Sequence, residues 1–333
     1  MKRSPIRKLL GVMAALALLA GCSASGGATP SAEATTLRLG FSAWPGWFPW
    51  QVAQEQGLFA KNGLKVDLKY FESYTDSLTA LSTGNLDANS QTLNDTISSV
   101  SGGAQQTVVL VNDNSTGNDQ IIARPGITSI ADLKGKKVAA EQGTVDHYLL
   151  LLALKQAGLT EKDIQFTPLL TDAAAAAFVA GKVDAVGVFA PFTTTALGLP
   201  GSKAIATSKD FPGAIPDHLV FSAGFVKAHA QEVQALVQTW FDTIAWIAAN
   251  RGKAVDIMAK RGGVSAADYR TYDAGTTIFT RQQNLDAFAP GSTPANLDHQ
   301  AGQIADFLVA TGLAEEKPAL DGLLDPRFVQ AAK

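Results

Sequence analysis

The 333 residues contain one cysteine, Cys22. With a single thiol no internal disulfide can form, so packing alone must hold the fold. The four histidines, His147, His218, His229 and His299, lack the short spacings of metal ligands. No metal is expected, and no cofactor. The chain has no Gly-x-x-x-x-Gly-Lys-Ser/Thr phosphate loop, no Gly-x-Ser-x-Gly elbow and no His-Glu-x-x-His pair. No catalytic residue is assigned. Positive charge is not in excess either: 27 Lys and Arg stand against 30 Asp and Glu. Nucleic acid is therefore a poor partner. Apart from one short run near the start, no apolar stretch approaches the 18 or more residues of a membrane span.

That run is informative. Lys2, Arg3, Arg7 and Lys8 precede an apolar segment, 9–20, which ends at Leu19-Ala20-Gly21-Cys22. Charged, apolar and small-residue regions in this order are the parts of an export signal. The last four residues resemble the bacterial lipobox. The resemblance implies cleavage before Cys22, lipidation of its thiol and tethering to a membrane, which two or more acyl chains make firm. Removing four basic and no acidic residues takes the formal charge from −3 to −7. Residues 22–35, rich in Ser, Ala, Gly and Thr, read as a flexible tether.

The remaining chain alternates strand and helix patterns. Residues 36–41 (TLRLGF) and 65–70 (KVDLKY) alternate apolar and polar side chains, as half-buried strands do. Helical spacing covers 50–59 and 73–81, and strands are expected at 84–90 and 107–111. The scheme repeats with strands at 137–140, 164–169 and 183–188 and helices at 145–157 and 173–180. This alternation predicts an α/β fold with sheets covered on both faces. An internal echo suggests two related lobes. LTALSTGNLDANSQTLND (78–95) and AAAAFVAGKVDAVGVFAP (174–191) each run helix, Gly-x-x-Asp-Ala, strand, loop. After Phe225, apolar residues recur at three- and four-residue steps, marking a helix with Trp240 and Trp246 in the core.

Ligands in open α/β sheets bind beyond the carboxyl ends of the strands. Three of the five tryptophans, Trp44, Trp47 and Trp50, fall in one stiff loop after the first strand. Trp44 and Trp47 are the better ligand candidates, since Trp50 already enters the helix. The same strand end offers Ser42. Tyr74 opens the next helix. The other strand ends carry Thr92, Asn94 and Asp95; Asp113 and Asp119; Glu141, Gln142, Gly143, Thr144 and His147; and Phe189 and Phe192. Asp217 joins the candidate carboxylates. Aromatic walls with a few polar anchors are what a small-molecule site needs.

GFSAWPGWFPWQVAQEQGLFAKNGLKVDLKYF, LSTGNLDA, SIADLKGKKVAAEQGT and FVAGKVDAVGVFAP together resemble the nitrate/sulfonate/taurine-type substrate-binding proteins of ABC importers, which include binders of bicarbonate and of thiamine pyrimidine precursors. The Trp-Pro-Gly-Trp loop and Thr92-Leu-Asn-Asp95 are most similar to a branch associated with urea and guanidine. The resemblance implies a type II periplasmic-binding-protein fold: two α/β lobes, two hinge crossings and a ligand between them. The lobes are expected at 36–112 plus 221–333 and at 113–220, with crossings near 112–118 and 219–223. The implied partners are a small solute, a permease and, through it, an ATPase. A monomer outside the cytoplasm is expected. Trp44 and Trp47 with Asp95, Asp119, Glu141 or Asp217 favour a cationic or amide-like nitrogen compound. Gly143-Thr144 at a helix start favours an oxyanion instead, and a pyrimidine is the third alternative. The same fold resembles pyrimidine-precursor synthases, which makes an enzyme the remote alternative.

Overall fold

A computed structural model describes residues 35–333. Residues 1–34, with the expected leader, Cys22 and nearly all of the tether, lie outside the described residues.

Eleven strands are described: β1 (Thr36–Ser42), β2 (Lys65–Phe71), β3 (Ala88–Thr92), β4 (Gln106–Ser115), β5 (Asp119–Ala123), β6 (Lys137–Ala140), β7 (Gln165–Pro168), β8 (Ala185–Phe189), β9 (Lys203–Thr207), β10 (Pro216–Ser222) and β11 (Thr276–Ile278). They form two sheets, ordered β11-β4-β10-β3-β1-β2 and β7-β6-β8-β5-β9. Helices cover both, so the fold is the two-sheet α/β architecture expected. In the first sheet β1 pairs in parallel with β2 and β3, while β10 runs antiparallel between β3 and β4.

The chain passes from the first sheet to the second at residues 116–118 and returns over residues 208–215. The crossing expected at 219–223 falls inside β10 instead. The Pro, Asp and His that open β10 (PDHLVFS) mask its strand character, yet it is buried almost throughout. It sits at the centre of the sheet, where tertiary packing overrides propensity.

The long helix Ala230–Ala249 buries Val233, Leu236, Val237 and Trp240 and packs on the helices Pro49–Glu55 and Leu58–Lys61. Trp240 packs on Trp50, with ring centroids 4.7 Å apart. Trp246, expected in the core, is half-buried, and the Lys253 ammonium lies 5.5 Å from its ring. The helix expected at 50–59 is two pieces, Pro49–Glu55 and Leu58–Lys61. Gly57 between them adopts φ of 67°, a left-handed conformation that ends the first piece.

Candidate functional site

The carboxyl ends of β1, β3 and β4 point toward the second sheet, and the Trp loop closes over them. Trp47 and Phe48 donate their amides to the Trp44 carbonyl at 3.0 and 3.2 Å, which winds the loop into a tight turn. Tyr269 anchors it by donating its hydroxyl to the Pro45 carbonyl at 2.9 Å. The Trp44 indole donates to Asp113 Oδ1 at 2.9 Å. Gly46 is needed here for close approach: a Cβ would stand 1.9 Å from Asp113 Oδ2. Trp50 points away, donating to Ser90 Oγ at 2.9 Å and stacking on Phe59. It is a core residue.

Four rings make a box spanning both sheets. Trp44 and Trp47 lie 6.3 Å apart, Trp47 and Tyr74 5.4 Å, and Tyr74 and Phe189 6.1 Å; Phe189 meets Trp44 edge-on at 6.3 Å. Phe192 supports Phe189 from behind. With Thr92, Asp119, Val145 and Asp217, the four rings enclose a cavity of about 10 Å³, close to the room one water needs. Anything larger enters only when the walls part. Clefts of about 220 and 380 Å³ lie elsewhere, but neither gathers buried carboxylates.

The electrostatics of the box are one-sided. Asp95, Asp113, Asp119, Asp146, Asp217 and Glu141 are all buried, and no Lys, Arg or His lines the cavity. Burial pushes Asp95 up to about 7, against the hydrogen bonds from Thr92 and Tyr74 that favour its ionised form. Burial likewise raises Asp119 to about 7. Asp146 stands well above the carboxylate range, through burial first and then the charges of Glu141 and Asp119. Asp217 is raised by burial and by Asp113 beside it. In register, Asp217 lies opposite Thr92 on one side and Asp113 on the other.

Thr92 caps the helix Leu93–Ser101 and donates its hydroxyl to Asp95 Oδ2 at 2.7 Å. Its amide donates to the Tyr74 hydroxyl at 3.0 Å. Asn94 steadies the other Asp95 oxygen at 2.9 Å. The helix Val145–Gln156 opens on the far wall, where Val145 lines the cavity. Trp47 Nε1 is buried without an acceptor, and Asp119 Oδ2, Asp217 Oδ2 and Ser42 Oγ are buried without a partner.

The candidate residues thus divide. Trp44, Trp47, Tyr74, Thr92, Asp119, Phe189 and Asp217 line one cavity, with Asp95 and Asp113 hydrogen-bonded to its walls. Ser42 is buried at the end of β1. Glu141 works as a strut, accepting from Thr75 of the first sheet's helix Tyr74–Ser82 and from Thr171. Thr144 is buried and donates its hydroxyl to the Glu141 carbonyl. Gln142 and Gly143 are exposed. His147 lies behind this loop, stacked on Phe166, accepting the Gly143 amide at Nδ1 and pairing through Nε2 with Glu161. Burial lowers its pKa. Val145, Thr75 and Thr171 were not expected at the site, and the two threonines carry no signal beyond being threonines.

Among the described residues no helix is long and apolar enough to cross a membrane, and no group of three or more His, Cys, Asp or Glu is placed to hold a metal ion.

Comparison with known proteins gives the family. A protein of Brucella abortus, named as a binding protein without a stated ligand, is 29% identical over 260 residues, 77% of this chain and 80% of its own. The taurine-binding periplasmic protein of Escherichia coli is 26% identical, over 71% of this chain and 76% of its own. Among solved structures, the periplasmic aliphatic sulphonate binding protein SsuA of Escherichia coli aligns with a TM-score of 0.73 at 26% identity, covering 87% of this chain and 92% of that one. The desulfurization enzyme DszB shares the fold alone, with a TM-score of 0.62 at 18% identity over 89% of this chain and 97% of that one. The two-sheet architecture is that of the periplasmic binding proteins. Residues 30–261 match the model of the NMT1-like family, and the chain belongs to that family.

Proposed function

We propose that the chain is the extracytoplasmic solute-binding component of an ABC importer, held at the membrane through lipid on Cys22, and that its solute is a small cationic nitrogen compound of the guanidinium or amine kind. The carrying observation is the cavity itself: aromatic faces and buried carboxylates from both sheets, with no basic side chain in its wall. Aromatic faces attract cations by about 0.5–2 kcal/mol, and buried carboxylates hydrogen-bond N–H donors strongly. No reaction is assigned, since nothing in the wall pairs a nucleophile with a base.

Capture follows from the geometry. The first sheet supplies Trp44, Trp47, Tyr74 and Thr92, and the second supplies Asp119 and Phe189. A solute in the cavity touches both only when they are together, so it favours the closed arrangement. Thr75 with Glu141, and the Thr194 and Tyr272 hydroxyls at 2.7 Å, bridge the same two bodies outside the cavity. A permease would then read the closed form.

The names of the relatives favour a second reading, an oxyanion such as a sulfonate, and none of them names guanidine or urea. Against it stands the cavity wall, which carries the buried carboxyls of Asp119 and Asp217 and no Lys or Arg. Isothermal calorimetry on the purified protein separates the two. Heat with guanidinium or a small amine, and none with taurine, nitrate or an alkanesulfonate, is expected. The reverse pattern would establish the oxyanion.

A further inference from the structure

We propose that the cleft selects a cation by exchange: capture expels a proton that Asp113 and Asp217 share in the empty site, so this pair tells a charged solute from a neutral one of the same shape. The inference rests on the cation reading above and goes further, to the charge of the solute and the residues that sense it.

Asp113 and Asp217 face one another in register on the antiparallel strands β4 and β10. Asp113 Oδ1 accepts the Trp44 indole N–H at 2.9 Å. The Oδ2 atoms of both residues are buried and find no N–H or O–H donor among the described residues. Directly opposed residues of an antiparallel pair carry their side chains on one face, a few ångströms apart, so two buried carboxyls stand side by side here. Two bare carboxylates only accept and repel each other, and one shared proton satisfies the pair. The Trp loop seals the pair, because Gly46 packs where a Cβ would overlap Asp113 Oδ2.

Nothing nearby supplies a counter-charge. Asp119 on β5, Asp95 on the helix Leu93–Ser101, and Asp146 and Glu141 on the far wall are all acidic. The phenols of Tyr74 and Tyr269 are held neutral by burial. His218 follows Asp217 but projects to the other face of β10, and burial lowers it to about 3, keeping it neutral. Like charges this close cannot both ionise in a dry site. A cation seated against Asp217 supplies the missing charge. The shared proton then passes to water: one positive charge enters, one leaves and no covalent bond changes. Urea matches guanidinium in shape but brings no charge, and so leaves the proton in place.

The test is calorimetry with guanidinium chloride and with urea at about pH 7, in phosphate and in Tris, whose ionisation enthalpies differ. The expected result is about one proton released per guanidinium, none per urea, and about one fewer released in Asp217→Asn. Where that variant fails to fold, the wild-type protein decides the matter. Its guanidinium Kd should tighten about tenfold per pH unit while the pair holds its proton and level off above. Guanidinium binding with equal heat in both buffers and a flat Kd from about pH 5.5 to 8 would overturn the exchange alone. No guanidinium binding beside clear taurine binding would overturn the cation reading and this inference with it.

Discussion

Residues 78–95 and 174–191 build one device twice. The helices Tyr74–Ser82 and Thr171–Val179 each stop at a glycine in the left-handed region, Gly84 at φ 75° and Gly181 at φ 76°. An aspartate follows three residues later. The Asp87 amide donates to the Arg38 carbonyl at 3.0 Å, and the Asp184 amide donates to the Lys137 carbonyl at 2.8 Å. Their carboxylates accept the Arg38 and Lys137 amides, each at 2.9 Å. The strand after each aspartate then pairs in parallel with its neighbour, β3 with β1 and β8 with β6. What differs is the exit. β3 ends in polar residues, and Thr92 leads to Asp95; β8 ends in Phe189. One backbone plan delivers a carboxylate that backs the cavity wall from one sheet and an aromatic face of the wall from the other.

Substitution at the two exits should break this symmetry most sharply. Asp95→Ala removes a buried carboxylate that accepts from the Thr92 hydroxyl and the Asn94 amide, and should weaken guanidinium binding by about 2–5 kcal/mol, or about thirtyfold and upward. Phe189→Ala removes one ring face, worth about 0.5–2 kcal/mol. Calorimetric titration of both variants ranks them. A larger loss at Phe189 would mean that apolar contact, rather than charge, carries recognition.

The difference between the exits also predicts where pH acts. Asp95 is raised by burial from 3.8 to about 7, so the folded protein holds a proton there that the unfolded chain has already released. Its stabilising contribution is complete below about pH 4 and is lost as pH rises to about 7. Ligand-free protein should therefore melt higher at pH 5 than at 7.5, with a slope of up to about 1.4 kcal/mol per pH unit for each such proton. Asp95→Asn should flatten that slope. Changes confined to the second device, at Phe189, should leave it intact.

The shared part of the device can be probed at its glycines. Alanine at a left-handed position costs about 1–2 kcal/mol. Gly84→Ala meets open space, whereas at Gly181 the new Cβ stands 3.3 Å from Arg124 Nη2. Both variants should lower the denaturant midpoint at unchanged slope, Gly181→Ala by more. Equal losses would mean that Arg124 moves aside freely.

This comparison also marks how much was legible in the chain. The Gly-x-x-Asp-Ala echo foreshadowed the paired helix–strand units because turn, clamp and strand are local features with local signals. The Trp loop and the acidic strand ends were legible for the same reason. The central strand β10 was not, since its pairing with β3 and β4 is contact at long range and its opening Pro-Asp-His reads as a loop. Asp217 could be nominated as a carboxylate, but its position opposite Asp113 depends on that hidden register. The strut from Thr75 to Glu141 was equally invisible, because two ordinary residues far apart in the chain meet only across the cleft.

The smallest expected effect separates the two clamps. Asp184→Ala deletes the acceptor of one neutral backbone amide, at a cost of about 0.5–1.5 kcal/mol. Asp87→Ala deletes the equivalent acceptor and also the partner of the Arg38 guanidinium, which donates its Nε to Asp87 Oδ2 at 3.0 Å. That arginine side chain is 38% exposed, so water screens the pair and the extra loss should be only about 0–1 kcal/mol. Urea unfolding of the two variants at low and high salt distinguishes the parts. The amide contribution should persist at high salt in both, while the excess at Asp87 should shrink toward zero. A salt-independent excess would mean that Arg38 is held for its packing under Gly84, whose carbonyl it also reaches at 2.9 Å, and not for its charge.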